Sequence, residues 1–229
     1  MFRLLLAGHR FLLRQAFYPL ALSTFLALTI YGGRVYLSEN WLVYRNLLWN
    51  LFLAWLPYFF SLAAALLYRL SPRYAWLLIP LPGFLWLIFF PNAPYIVTDF
   101  LHLEQRPYVP LWYDILLISS FAWTGIFLAV ASLRMMQILV RAYLGNVVSW
   151  FFVAFALGLS ALGIYLGRFQ RWNSWDLLFH PGKILADVTV RVINPLDNLR
   201  FVGFTALFTL FLLICYLVFI SFSRLEESA

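Results

Sequence analysis

The chain of 229 residues is 64% hydrophobic and 21% aromatic, with only 11% charged residues and a mean hydropathy of +0.86. That is more apolar surface than a water-soluble fold of this length can bury, so the sequence reads as an integral membrane protein and not as a soluble domain. The net charge of +7 comes from basic residues in short clusters beside apolar runs, which is a mark of membrane topology; nucleic acid is not an expected partner.

The first residues, MFRLLLAGHRFLLRQAFYP, mix Arg3, Arg10 and Arg14 with leucine and phenylalanine and show no small-residue cleavage pattern. They read as a retained amphipathic lead-in. About 20 apolar residues cross a bilayer as a helix. Six segments meet that length: Phe17 to Leu37, Tyr44 to Tyr68, Tyr74 to Ile96, Leu111 to Leu133, Val147 to Gly167 and Phe201 to Phe222. The connection from Arg168 to Arg200 is too long for a simple turn and carries the apolar pattern DLLFHPGKILADVTVRVI, expected to lie on the membrane. The predicted fold is therefore all-α: a single-domain polytopic helix bundle over residues 1–229, with an interfacial amphipathic segment in its last long loop.

Arginine placement gives the orientation. The N-terminal segment, the Arg69–Arg73 turn, an expected turn at Arg134–Arg141 and the tail hold eight basic and two acidic residues; the opposite side holds eight basic and seven acidic. Because most basic residues on the second side sit in the one long loop, where the positive-inside rule is weaker, both termini are placed in the cytoplasm. Nearly every carboxylate then collects on the outer face. A single cysteine, Cys215, lies in an apolar run and reads as a small buried residue.

Two polar stretches interrupt the apolar pattern. In PNAPYIVTDFLH, Pro91 and Pro94 remove backbone donors, so the third span is expected to break near Asn92, leaving carbonyls that need partners. Asp99 and His102 follow at i, i+3, on one face of a short helix, a spacing that suits a divalent metal or a base with its orienting partner. The structural alternative is a helix start, capped by Thr98 or Asp99 with His102 among headgroups. In GRFQRWNSWDLLFH, Arg168 and Arg171 form a fork suited to phosphate or carboxylate, and Asp176 and His180 repeat the Asp–His pairing at i, i+4. Asn173 and Asp176 also fit a capping box with short side chains. The second stretch is expected to meet the first on the outer face and build one polar site.

Asn46 and Asn50, one turn apart in the second span, need internal partners, and Pro57 is a point where that helix can bend. Asp114 is either a member of the site or a charge that stabilises a helix N-terminus. Gly125 with Ala129, and Gly163 with Gly167, have small-xxx-small spacing and are expected to pack helices.

WNLFLAWLP, FFPNAPYIVTDFLHL, LWYD and GIYLGRFQRWNSWD, in this fixed order between Tyr44 and His180, resemble the blocks of domain-of-unknown-function family 1361. The matching residues are Asn50, Asn92, Pro94, Tyr95, Thr98, Asp99, His102, Asp114, Gly167, Arg168, Arg171, Trp172, Asn173 and Asp176. The resemblance implies a bacterial multi-pass protein of the inner membrane and carries over no activity.

Two readings follow. In one, Asp99, His102 and Asp176 act as general acid, base or metal ligands, while Arg168, Arg171, Asn173, Asn92 and Asn50 hold a lipid headgroup or a lipid-linked anion. In the other, the chain is a non-catalytic membrane subunit or assembly factor whose polar cluster is structural and whose partners are membrane lipids and a second membrane protein. No serine or cysteine nucleophile motif, glycine-rich nucleotide loop or HExxH helix chooses between them, and cofactor and metal remain open.

Overall fold

The computed structural model describes residues 2–227; the side chains of residues 2–5, 178 and 223–227, Arg3 and Arg224 among them, lie outside that description. In chain order the helices are α1 (Phe2–Arg14), α2 (Phe17–Ser38), α3 (Arg45–Leu70), α4 (Ala75–Leu78), α5 (Pro80–Phe89), α6 (Asn92–Tyr95), a 3-10 helix (Ile96–His102), α7 (Leu111–Gln170), α8 (Asp176–Phe179), α9 (Pro181–Ile193) and α10 (Leu199–Glu227). Among the described residues the extended structure is one isolated bridge, Arg106 with Val109. The all-α bundle read from the hydropathy pattern is the fold.

Among the described residues five helical stretches are long and apolar enough to cross a membrane, and the longest, Leu111–Gln170, takes in two of the six expected segments. It is not one rod. Gly145 has φ 85° and ψ 175°, outside the helical region, in a backbone state that glycine adopts without a Cβ clash. Gly125 packs on Ala93 and Gly163 packs on Pro91, although on a straight helix those two glycines would stand about 57 Å apart. The two arms of α7 therefore fold back at Gly145 and run beside each other. The turn expected at Arg134–Arg141 is corrected by this: the helix continues through both arginines, held by good helix-formers, until Gly145 releases it.

The proline-rich third segment differs from a clean break. Its α-helical hydrogen bonding is interrupted first at Ile79, ahead of Pro80 and Pro82, and again at Phe90–Pro91, before the chain tightens into the 3-10 helix. The dihedrals of Phe90, Pro91 and Ile96 stay in the right-handed helical region, so the helix is rewound more than opened. Asn92 Nδ2 donates to the Phe89 carbonyl at 3.0 Å, a side-chain donor where proline chemistry leaves acceptors short. Pro57 lies inside α3, which remains a single helix from Arg45 to Leu70.

α7 is the centre of the bundle and touches α2, α3, α6, the 3-10 helix and α10. The small residues expected to pack do so. A methyl group at Gly125 would collide with the Ala93 carbonyl oxygen, one at Gly163 would stand 2.9 Å from Pro91 Cγ, and one at Gly167 would stand 3.2 Å from the Tyr95 ring. The rewound segment is thus seated on glycines from both arms of α7, close enough to bring its polar end against the end of the second arm.

The bundle has two distinct ends. At one, Arg69 lies over the Phe11 ring of α1 and Tyr68 meets Tyr143 just before the Gly145 turn. The other gathers Arg34, Asp114, Asp99, Arg168 and the loop carrying Arg106. The long loop forms α8 and α9. On α9, Ile184 is buried while Leu185, Val192 and Ile193 are exposed, and Arg191 pairs with Asp187 on the same helix. An outward apolar face on a short helix at the bundle end suits the lipid boundary.

Candidate functional site

Asp99 is buried, and both its oxygens are engaged. Oδ1 accepts from Arg168 Nη2 at 2.6 Å, and Oδ2 accepts from Asn50 Nδ2 at 2.8 Å. The guanidinium of Arg168 spreads over the whole segment: Nε donates to Thr98 Oγ1 at 2.8 Å, Nη1 contacts His102 Nε2 at 2.8 Å, and its carbon lies 4.4 Å from the Tyr95 ring centre. Arginine is donor-only, so His102 Nε2 accepts and the histidine proton resides on Nδ1. Asn92 Nδ2 also donates to Ser174 Oγ at 2.8 Å. The two polar stretches named from the sequence therefore meet through four hydrogen bonds.

This geometry gives the site residues different parts. Arg168 lies between Asp99 and His102 with Nε, Nη1 and Nη2 each engaged by the rewound helix, so it clamps that helix. Among the described residues no three His, Cys, Asp or Glu side chains come together. Asp176 stands apart from Asp99: its Oδ2 accepts from Asn173 backbone N–H at 2.7 Å and Asn173 Nδ2 at 3.3 Å, the capping-box alternative. His180 is exposed, and it follows α8 without a described side-chain hydrogen bond.

Two cavities flank the clamp. The larger, about 430 Å³, is lined by α3, α5, the second arm of α7 and the loop after it, with Leu53, Phe84, Leu87, Leu159 and Leu162 along its wall. Asn50, Asn92, Arg171, Asn173 and Ser174 line it as well, with Trp49, Trp172 and Trp175. From Leu159 to Gly167 the wall follows α7 for about 12 Å, enough for part of an acyl chain below a polar rim. The smaller, about 300 Å³, is lined by Tyr44, Asn46, Asp99, His102 and Arg106 with three apolar residues. Asn50 lines the first cavity and bonds Asp99, which lines the second, so the Asn50–Asp99 contact forms part of the wall between them.

Arg171 is the cation that the larger cavity keeps. Among the described residues its side chain has no ion pair or hydrogen bond. It ends α7 in the left-handed conformation, φ 60°, where Trp172 N–H bonds the Leu166 carbonyl at 3.2 Å. That is a helix stop usually filled by glycine.

Arg34 escaped the sequence reading. Nε donates to Asp114 Oδ1 at 2.7 Å and Nη2 to Oδ2 at 3.3 Å, with both side chains 1% exposed. Nη1 reaches Ser38 at 3.3 Å, and the guanidinium lies 4.9 Å from the Tyr44 ring centre. Asp114 is thus the partner of a buried arginine and not a bare charge at a helix start. The available signal was an arginine inside an apolar span, four residues before its end, facing a carboxylate at the same depth in the fourth segment.

No curated protein and no solved structure matches this chain. A family model does match, over residues 49–215, most of the chain and both polar stretches with it. The protein belongs to the family described as Protein of unknown function (DUF1361).

Proposed function

We propose that this protein binds a lipid, or a lipid-linked anionic group, in the larger cavity, with the acyl portion along Leu53, Phe84, Leu159 and Leu162 and the anionic head at Arg171, Asn173 and Ser174. The observation that carries this reading is a largely apolar cavity of about 430 Å³ whose lining includes Arg171, an arginine without an ion pair or hydrogen bond to its side chain among the described residues. Asn50 and Asn92 are held by Asp99, Phe89 and Ser174, so they shape the rim. Asp99 and Arg168 position the rim through the same contacts. A second reading, a non-catalytic membrane subunit with a structural polar cluster, is favoured by one fact: both oxygens of Asp99 are already satisfied. The two readings share the clamp and differ over whether the cavity is occupied.

The preferred setting is a bacterial inner membrane, with both termini cytoplasmic, six crossings and the cavity at the outer end. The separation of the Arg69–Tyr143 end from the Asp99–Arg168 end supports this partition of residues. Reporter fusions are expected to place Glu104 and Lys183 outside the cytoplasm; a cytoplasmic signal from either would reverse the orientation.

Arg171→Gly separates binding from folding. Glycine suits the left-handed position, so stability is expected to hold or rise by up to about 1 kcal/mol. Purified protein titrated with dioctanoyl phosphatidylglycerol is expected to bind it more tightly than dioctanoyl phosphatidylcholine, and the variant to lose roughly tenfold in affinity for the anionic lipid, the scale of one charge-assisted contact. Equal affinity for both lipids in the native chain, or no loss in the variant, would contradict the proposal.

A further inference from the structure

The smaller cavity, about 300 Å³, lies across the Asn50–Asp99 contact from the larger one and has a different character. Its donors outnumber its free acceptors. Asp99 already has each oxygen in a hydrogen bond, one to Arg168 and the other to Asn50, and its charge is balanced by Arg168. His102 turns Nε2 to Arg168 and therefore keeps Nδ1–H as a donor. Asn46, exposed one turn before Asn50 on α3, has no hydrogen bond to its side chain among the described residues.

Arg106 adds the charge. Among the described residues its ion pair is Nη2 to Glu104 Oε2 at 3.1 Å, and the glutamate side chain is 70% exposed, so water screens the pair and Glu104 is a weak competitor. Among the described residues Arg106 Nε is buried without a hydrogen-bond partner, as is the Tyr44 hydroxyl. The arginine is held in place by the bridge between Arg106 and Val109 and by the Tyr44 ring, whose centre lies 5.5 Å from its guanidinium carbon. Arg34 approaches the same ring at 4.9 Å but is neutralised by Asp114. The charges around the cavity thus pair off as Arg168 with Asp99 and Arg34 with Asp114, leaving Arg106 only loosely compensated.

We propose that this second cavity is a binding site for a small oxyanion, a phosphate or carboxylate group, taken by Arg106, His102 Nδ1–H and Asn46. A planar guanidinium beside two neutral donors matches the acceptor-only edge of such an anion. The short apolar lining, Leu42, Val43 and Leu47, offers no run for an acyl chain, so a soluble ion is the preferred source. The site stands independently of the lipid reading.

The test is calorimetric titration of the full chain in dodecyl maltoside with inorganic phosphate, with succinate and with dioctanoyl phosphatidic acid. Saturable binding of phosphate or succinate is expected, weakened roughly tenfold by Arg106→Gln and by Asn46→Ala and unchanged by Arg171→Gly. Saturation by phosphatidic acid alone, lost in the same two variants, keeps the oxyanion chemistry and assigns it to a lipid head. Asn46 is exposed, so its alanine variant decides the matter should Arg106→Gln fail to fold. No saturable binding of phosphate or succinate and no phosphatidic acid binding that the two variants abolish, phosphate or succinate binding that survives both variants, or a loss of phosphate or succinate binding in Arg171→Gly would overturn the proposal.

Discussion

Replacing Asp114 by asparagine is expected to destabilise the protein by about 3 to 5 kcal/mol, read as a shift in unfolding free energy in mixed micelles. The pair it breaks is 1% exposed on both sides, and Arg34 would keep one neutral amide acceptor in place of a carboxylate, beside Ser38 and the Tyr44 ring. A guanidinium without a carboxylate in that setting has lost its compensation while its desolvation cost remains. The double variant Arg34→Leu, Asp114→Leu removes both charges and is expected to recover most of the loss, because it strands neither. A single-variant effect below about 1 kcal/mol would mean that water reaches the pair.

Asp99→Asn is expected to cost about 3 kcal/mol and to couple to Arg168→Met. Asp99 is less deeply placed than Asp114, with side-chain exposures of 9% for Arg168 and 5% for Asp99, but it anchors three elements at once. Asparagine keeps an acceptor for one partner and turns an amine toward the other, so either Asn50 or Arg168 meets a donor. The double-mutant cycle is expected to return a coupling of about 2 kcal/mol. Additive effects would show that the two polar stretches do not support one another.

The membrane class and helix positions were legible because span length and hydropathy are local quantities, and they appear where Phe17–Leu37 becomes α2 and Tyr44–Tyr68 becomes α3. The turn near Arg134 was misplaced because a charged pair resembles a loop signal, whereas the conformational freedom of Gly145 decides where the helix stops. The meeting of PNAPYIVTDFLH with GRFQRWNSWD was readable as a shared need for partners: prolines leave carbonyls open, and buried ions need counterions. How the arginines divide their work was not readable. Arg168 is the last helical arginine facing the bundle and Arg171 lies one residue past the helix end, a difference set by where the left-handed stop falls. Arg34 was missed because its counterion is eighty positions away, and sequence spacing says nothing about pairs brought together by packing.

The most direct test of the central claim, that a lipid occupies the larger cavity, is photolabelling in native-composition vesicles with an anionic lipid carrying a diazirine along its acyl chain, followed by peptide mapping. Labels are expected to concentrate on Leu53, Phe84, Leu87, Leu159 and Leu162, and to fall at these positions in Arg171→Gly. Labelling spread evenly over outward residues such as Phe25, Trp123 and Phe151, with no enrichment in the cavity, would contradict it.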